Sequence, residues 1–117
     1  MATILVVDDD PGMRQIVTLV LKQKGHNILS ASNGVEALMV YSSYRQSLDM
    51  VLTDIDMPEM NGIELASRIR AGDPSGKILF MSGREPDNMK GFEGYPTLSK
   101  PFALDKLVAA VEQVLRG

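Results

Sequence analysis

Three aspartates follow short apolar runs and are candidates for binding a metal ion. Asp8 and Asp9 come directly after residues 4–7, and Asp54 comes directly after residues 50–53. Apolar runs of this length are typical of strands in a parallel sheet covered on both faces, and ligands of such sheets lie beyond the carboxyl ends of the strands. Carboxylates that converge there are costly to bury unless a cation joins them. Their hard oxygen atoms favour Mg²⁺ or Mn²⁺ over zinc, as does a composition without Cys and with one His, His26.

The composition indicates a small acidic domain. With 117 residues, 44% of them hydrophobic, the chain is predicted to form a single domain over residues 1–117. The formal net charge of −3 and the lack of a basic run argue against nucleic-acid binding by this domain. The sequence offers no disulfide framework, no signal-peptide pattern and no apolar segment of bilayer length. We therefore expect a cytoplasmic domain without membrane insertion.

Strand and helix patterns alternate along the chain. Strands are predicted at residues 3–7, 27–31, 50–53, 77–81 and 97–99. Helices are predicted after Asp10, Asn33 and Asn61, whose side chains can cap a first turn, and at the apolar stripe of residues 104–115. The connection before the last strand contains several Pro and Gly residues, so it has room for only one or two turns of helix.

This alternation predicts an α/β fold, an open doubly wound parallel sheet with helices on both faces. A small sheet of this kind has the flavodoxin-like strand order 2-1-3-4-5, in which the first and third strands are neighbours. That order would bring Asp8, Asp9 and Asp54 together at the carboxyl edge of the sheet.

Four motifs, present in the same order as in the family, make essentially the whole chain resemble the receiver domains of two-component response regulators. They are VVDDD at residues 6–10, TDIDMPEMNGIEL at residues 53–65, ILFMSG at residues 78–83 and LSKPF at residues 98–102. The resemblance implies that Asp54 accepts a phosphoryl group from a histidine kinase or a histidine phosphotransfer domain. It also implies phosphorelay signalling by a domain that is not an enzyme, with self-catalysed transfer, slow autodephosphorylation and a possible downstream output domain or protein.

The resemblance also assigns the other site residues. The residues implied to hold Mg²⁺ are Asp9, Asp54, the backbone carbonyl of Asp56 and, through metal-bound water, Asp8. Ser82 and Lys100 are implied to contact the phosphoryl group, since a hydroxyl can donate a hydrogen bond to it and an ammonium group is a compact charge for its oxygens. The family often has a cis peptide bond between this lysine and the proline that follows it.

Two positions at the mouth of the implied pocket are expected to modulate the reaction. Asp56 lies two residues after the implied phosphoacceptor, and Arg84 lies two residues after Ser82. The resemblance implies that their side chains are on opposite sides of the pocket, where they can pair; the alternative is that both are solvated surface charges. The chain departs from the family pattern at a residue that takes part in signal output. Many receivers carry an aromatic switch residue three positions before the lysine, whereas this chain has Thr97 there, with Tyr95 two residues upstream. We therefore predict output through residues 85–95, which we expect to be the least protected part of the fold. The short connection also resembles receivers of hybrid sensor kinases.

Other interpretations compete with these assignments. Asp10 before Pro11 is better explained as a helix cap, and His26 after a helix end as a surface residue rather than a phosphoacceptor. The Asp54-x-Asp56 pattern also resembles the nucleophile motif of haloacid-dehalogenase-type phosphatases, but there the nucleophile strand precedes the other metal-binding acids. A chemically inactive docking module is the third alternative.

Overall fold

The computed structural model describes residues 1–84, 89 and 91–117. These residues form β1 (Thr3–Val7), α1 (Pro11–Gln23), β2 (Asn27–Ala31), α2 (Gly34–Tyr44), β3 (Met50–Asp54), α3 (Gly62–Gly72), β4 (Ile78–Ser82), β5 (Thr97–Ser99) and α4 (Leu104–Arg116). No helix in this described part of the chain is long and apolar enough to span a bilayer.

The five strands form one parallel sheet in the order β2-β1-β3-β4-β5. The predicted flavodoxin-like, doubly wound fold is therefore confirmed. β1 and β3 are direct neighbours, paired from Ile4 with Met50 to Val7 with Thr53. Because every strand runs in the same direction, the residues that follow β1, β3, β4 and β5 lie along one carboxyl edge.

The sheet sends alternate side chains into two apolar layers. Leu5 and Val7 of β1 face the layer under α2 and α3, whereas Ile4 and Val6 face the layer under α1 and α4. Both faces are covered, which explains why the strands are almost continuously apolar. The helix residues buried in these layers include Ala37, Leu65 and Ile69 on one side and Val17, Leu21, Leu107 and Val111 on the other. The two layers hold the strand ends in fixed relative positions.

Side chains at predicted positions cap the helices that border the carboxyl edge. Asp10 Oδ1 accepts the N–H of Gly12 at 2.9 Å, which confirms the helix-cap interpretation of this residue. Asn61 and Glu64 form a reciprocal capping box at the start of α3. These caps fix where α1 and α3 leave the strands that carry the acidic residues.

At α2 the predicted capping box is incomplete. Asn33 Oδ1 accepts the N–H of Glu36 at 2.8 Å, as expected. The Glu36 carboxylate, however, accepts the N–H and the hydroxyl of Ser32 at 2.6 Å and 2.9 Å, instead of the N–H of Asn33. The carboxylate thus stabilises the end of β2 rather than closing the box.

The prediction of a surface position for His26 is wrong. The ring is buried, its Nδ1 accepts the N–H of Ala2 at 3.1 Å, and its Nε2 lies 2.9 Å from Glu112 Oε2. Since Nδ1 is an acceptor, Nε2 carries the proton and donates to Glu112. His26 precedes β2, so it lies at the edge opposite the acidic residues, where it joins Ala2, the residue before β1, to α4.

The connection between β4 and β5 is only partly described. Residues 85–88 and 90 of the segment predicted to be the least protected lie outside the described residues, and the rest of the connection contains no helix. Phe92 is fully buried, and its ring packs edge-on against Phe80 and Tyr95, with centroids 5.8 Å and 4.8 Å away. The Arg70 guanidinium lies 3.9 Å from the centre of the Phe92 ring. The end of the connection is thus anchored more firmly than its glycines suggest.

Candidate functional site

The carboxyl edge brings the three predicted metal-binding aspartates together. Asp8 and Asp9 follow β1, and Asp54 is the last residue of β3, one residue beyond the predicted strand. One carboxylate oxygen of each residue lies within 4.8 Å of those of the other two. Asp8 and Asp54 are buried and Asp9 is exposed. The cluster therefore has a buried base and an open side through which a ligand can enter.

Lys100 supplies a positive charge to this cluster. Its Nζ lies 2.9 Å from Asp8 Oδ2 and 3.5 Å from Asp54 Oδ2. Lys100 follows β5, and its peptide bond to Pro101 is cis, as the resemblance implied. The ammonium group therefore offsets the charge of two buried carboxylates that come from neighbouring strands.

Burial and the local charges change the pKa values of this group. Burial raises the pKa of the Asp54 carboxyl to about 6; the Lys100 charge opposes the increase, the Asp8 charge adds to it, and the Asp56 N–H opposes it. Burial acts to lower the pKa of Lys100, but its hydrogen bond to Asp8 and the charges of Asp54 and Asp8 outweigh burial and raise it. A cation among the carboxylates would favour the ionised, nucleophilic form of Asp54.

Asp8 is fixed by four hydrogen bonds, one of them from its own N–H to the Ala31 carbonyl at 3.2 Å. Its Oδ1 accepts the N–H of Asp10 at 2.9 Å, and its Oδ2 accepts from Lys100. Its backbone carbonyl accepts from Arg14 Nη1 at 2.6 Å. The role of Arg14 was not predicted from the sequence. The only available signal was a basic residue in the first turn of a helix that follows three aspartates.

Ser82 ends β4 beside this cluster and is hydrogen-bonded to the residues that follow it. Its hydroxyl donates to the Arg84 carbonyl at 2.5 Å, and its own carbonyl accepts the N–H of Lys100 at 2.7 Å. Arg84 Nη2 lies 3.1 Å from Asp56 Oδ1, so the anticipated ion pair is present. The Arg84 and Asp56 side chains are 62% and 41% exposed, which places the pair at the solvent-facing mouth of the site.

Gly62 is a site residue that sequence reasoning missed. A Cβ atom at this position would lie 2.3 Å from the Asp54 carbonyl oxygen and 2.9 Å from Ile55 Cα. The first turn of α3 packs directly against the backbone that carries Asp54, and the Gly62 N–H donates to the Ile55 carbonyl at 2.9 Å. Only a glycine allows this approach without moving the end of β3.

The donor set suits a hard divalent cation. Three carboxylates from two adjacent strands can each offer one oxygen to a shared point, and carboxylate oxygens are the ligands that Mg²⁺ and Mn²⁺ prefer. No other group of three or more acidic or histidine side chains with this spacing occurs among residues 1–84, 89 and 91–117. The backbone carbonyl of Asp56 as a further ligand stays a prediction.

Comparison with known proteins gives consistent matches over nearly the whole chain. The family model of the response regulator receiver domain matches residues 4–112. The response regulator receiver protein CpdR of Brucella abortus is 37% identical over 120 residues, which cover 98% of each chain. The sensor kinase CckA of the same organism is 33% identical over 118 residues, which cover 97% of this chain but 12% of the kinase. The chain likewise spans 50% and 26% of two transcriptional regulatory proteins that it matches.

A solved structure with the same fold is the response regulator TrrA of Thermotoga maritima. Its complex with Mg²⁺-BeF superposes with a TM-score of 0.86 at 32% identity, covering 97% of this chain and 99% of TrrA. TrrA in complex with the histidine kinase ThkA superposes with a TM-score of 0.85 at 32% identity, covering 98% of this chain and 99% of TrrA.

Proposed function

This chain belongs to the response regulator receiver domain family and is a phosphorelay signalling domain, and we propose that Asp54 is its phosphoacceptor. The observation that carries this proposal is the convergence of Asp8, Asp9, Asp54 and Lys100 at one edge of the sheet. Within that group, Asp54 combines a strand-end position, burial and contact with the ammonium group. Both carboxylate oxygens of Asp8 accept hydrogen bonds at 2.9 Å, whereas the contacts of the two Asp54 oxygens, to the Asp56 N–H and to Lys100, are longer at 3.4 Å and 3.5 Å. Asp9 is exposed, so neither Asp8 nor Asp9 is as well placed to act as the nucleophile.

We propose that the transfer proceeds by attack of an Asp54 carboxylate oxygen on the phosphorus of a phosphohistidine. The new O–P bond forms as the P–N bond breaks, and the electron pair of that bond returns to the imidazole of the donor. Lys100, whose Nζ is 3.5 Å from Asp54 Oδ2, is close enough to place its charge on a phosphoryl oxygen. The chain thus contributes mainly positioning and charge.

The residues proposed to hold Mg²⁺ or Mn²⁺ are Asp8, Asp9, Asp54 and the backbone carbonyl of Asp56. When bound, such an ion neutralises negative charge on the nucleophile and on the phosphoryl oxygens. The support from this chain is the spacing of the three carboxylates, and a related domain, TrrA, was solved with Mg²⁺-BeF.

We propose that Ser82 couples phosphorylation of Asp54 to a structural change in the β4–β5 connection. Its hydroxyl donates to the carbonyl of Arg84, two residues beyond β4. Donation to a phosphoryl oxygen on Asp54 would require the hydroxyl to leave that carbonyl, so the start of the β4–β5 connection would change its hydrogen bonding. Thr97 is exposed and its hydroxyl donates to the Tyr95 carbonyl at 3.3 Å, so it offers no aromatic ring to respond.

The proposed donor is a histidine kinase or a histidine phosphotransfer domain, and TrrA was solved with a histidine kinase. The start of α1 borders the site, because it follows Asp9 and Asp10 directly. Further along this helix, Ile16 and Leu19 are 48% and 58% exposed and are candidate contacts for such a partner. A downstream output partner, a single domain over residues 1–117 and a cytoplasmic location stay predictions.

The test is incubation with acetyl phosphate, a small phosphodonor, in the presence and absence of Mg²⁺. The proposal expects one phosphoryl group per chain, acquired only with Mg²⁺ and lost slowly. Rapid release of phosphate with continuous consumption of the donor would instead indicate a haloacid-dehalogenase-type phosphatase. No labelling at any Mg²⁺ concentration would indicate a chemically inactive docking module.

A further inference from the structure

We infer that Arg14 is a positioning residue for the phosphoryl-accepting site, because it fixes the turn that carries Asp8 and Asp9. The inference rests on the proposed function of that turn in metal binding. Arg14 lies in the first turn of α1 and is partly buried. It contacts the turn through its side chain and through its backbone.

The side-chain contact is a short hydrogen bond to a buried carbonyl. The last residue pair between β1 and β2 is Val7 with Ala31, and Asp8 lies just beyond it. The Asp8 N–H still donates to the Ala31 carbonyl at 3.2 Å. Its own carbonyl is the point at which the chain leaves the sheet. Arg14 Nη1 donates to that carbonyl at 2.6 Å, so the guanidinium replaces the strand partner that a longer β1 would have.

The backbone contact closes the same turn from the other side. The N–H of Arg14 donates to the Asp10 carbonyl at 3.0 Å, and the N–H of Asp10 donates to Asp8 Oδ1 at 2.9 Å. The first of these is the ordinary first helical hydrogen bond of α1, which does not depend on the side chain at position 14. Asp9 therefore lies between Asp10, which is held by the start of the helix, and Asp8, which is held by the Arg14 guanidinium. Because Asp9 is exposed, its orientation depends on these flanking hydrogen bonds rather than on packing.

Positioning and charge predict opposite effects on metal binding. The guanidinium is a cation near the acidic cluster, so its charge alone repels Mg²⁺, and its removal would tighten binding. The Arg14 guanidinium also interacts with Glu36 in α2. The Ser32 N–H and hydroxyl lower the pKa of the Glu36 carboxyl, and the Arg14 charge lowers it further. Loss of the fixed turn would instead spread the carboxylate oxygens of Asp8 and Asp9 and weaken binding. The sign of the change thus identifies the role of Arg14.

The test compares Arg14→Gln, Arg14→Lys and the control Arg45→Gln in the full chain. Arg45 Nη2 also donates to a backbone carbonyl, that of Gly72, at 3.2 Å, but at the opposite edge of the sheet. The measurements are the Mg²⁺ dissociation constant from metal-dependent unfolding, the Asp8 and Asp10 amide exchange rates by NMR with chelator present, and the labelling rate with acetyl phosphate.

For Arg14→Gln we expect a dissociation constant raised by roughly tenfold, faster exchange at Asp8 and Asp10, and a labelling rate that recovers at saturating Mg²⁺. Arg14→Lys should recover part of the loss, and Arg45→Gln should match the parent. Unchanged or tighter Mg²⁺ binding by Arg14→Gln, or unchanged exchange, would overturn the positioning role. If the parent itself neither binds Mg²⁺ nor becomes labelled, the proposed function fails, and the exchange rates still decide whether Arg14 fixes the turn.

Discussion

The Lys100 ammonium group and the Asp8 carboxylate are joined by a 2.9 Å ion pair across 92 positions of the chain. Asp8 is fully buried, and Lys100 follows the edge strand β5, two strands beyond β3. A buried carboxylate without this cation would be strongly unfavourable. The pair therefore holds the loop after β5 against the loop after β1, and it places the Lys100 ammonium group next to Asp54.

The raised pKa of Asp54 predicts a specific pH dependence of stability without metal. Its ordinary pKa is 3.8 and burial raises it to about 6. Between these two pH values the Asp54 carboxyl keeps its proton in the folded protein but has lost it in the unfolded chain. The contribution is fully present below pH 3.8 and is lost as the pH rises through about 6, with a total of about 3 kcal/mol. With chelator present, the free energy of unfolding of the parent should fall relative to Asp54→Asn over this range. Parallel pH profiles of the two proteins would contradict the raised pKa.

Asp9→Ala should separate the charge repulsion at the cluster from metal binding. Because Asp9 is exposed, removal of its charge should stabilise the metal-free protein by only about 0–1 kcal/mol. The same change should remove most of the stabilisation by Mg²⁺, since that stabilisation grows with the logarithm of the Mg²⁺ concentration divided by the dissociation constant and disappears when the dissociation constant exceeds the concentration. Urea unfolding with and without Mg²⁺ measures both effects, with Asp105→Ala at the exposed first turn of α4 as the matched control. An Asp9 variant stabilised by Mg²⁺ as strongly as the parent would refute its assignment as a ligand.

The ion pair between Asp56 and Arg84 should slow loss of the phosphoryl group by restricting the approach of water. The exposed pair contributes about 0–1 kcal/mol, which corresponds to at most about a fivefold change in rate. Asp56→Asn and Arg84→Gln should each accelerate dephosphorylation, and the double variant should not exceed the faster single one, because both remove the same contact. Decay of labelled protein measures the rates. Identical dephosphorylation rates in the parent, the two single variants and the double variant would show that the ion pair does not restrict the approach of water.

Gly62→Ala should destabilise the fold at the phosphoacceptor itself. The new methyl group would meet the Asp54 carbonyl at 2.3 Å, and backbone atoms cannot move aside as a flexible side chain can. We expect a loss of about 1–3 kcal/mol in the free energy of unfolding, with slower labelling. Gly72→Ala in the same helix is the matched control, because a Cβ there meets nothing within 4 Å; it should be neutral or stabilising by up to about 1 kcal/mol. Equal effects of the two changes would show that the close approach carries no cost.

Much of the carboxyl edge of the sheet could be predicted from the sequence, because its residues follow local patterns. Apolar runs indicated the strands, and the strand order then brought Asp8, Asp9 and Asp54 together. The boundaries were less accurate, since β3 and β4 each end one residue later than predicted. The cause is pairing between the strands, since Asp54 is in register with Met81. Such pairing cannot be inferred from the sequence of either segment alone.

The residues that were missed depend on contacts with distant parts of the chain. The partners of His26 are Ala2 and Glu112, 24 and 86 positions away, so its local context after Gly25 wrongly indicated exposure. Gly62 matters because α3 returns onto the end of β3, which requires knowledge of the packing. Periodicity and capping rules describe neither kind of contact.

The central claim is that Asp54 accepts the phosphoryl group, and intact-mass measurement after incubation with acetyl phosphate and Mg²⁺ tests it most directly. The comparison uses the parent, Asp54→Asn and the control Asp56→Asn, which removes an exposed acid two residues away. We predict one added phosphoryl group in the parent and in Asp56→Asn, and none in Asp54→Asn. Equal labelling of Asp54→Asn and the parent would contradict the assignment.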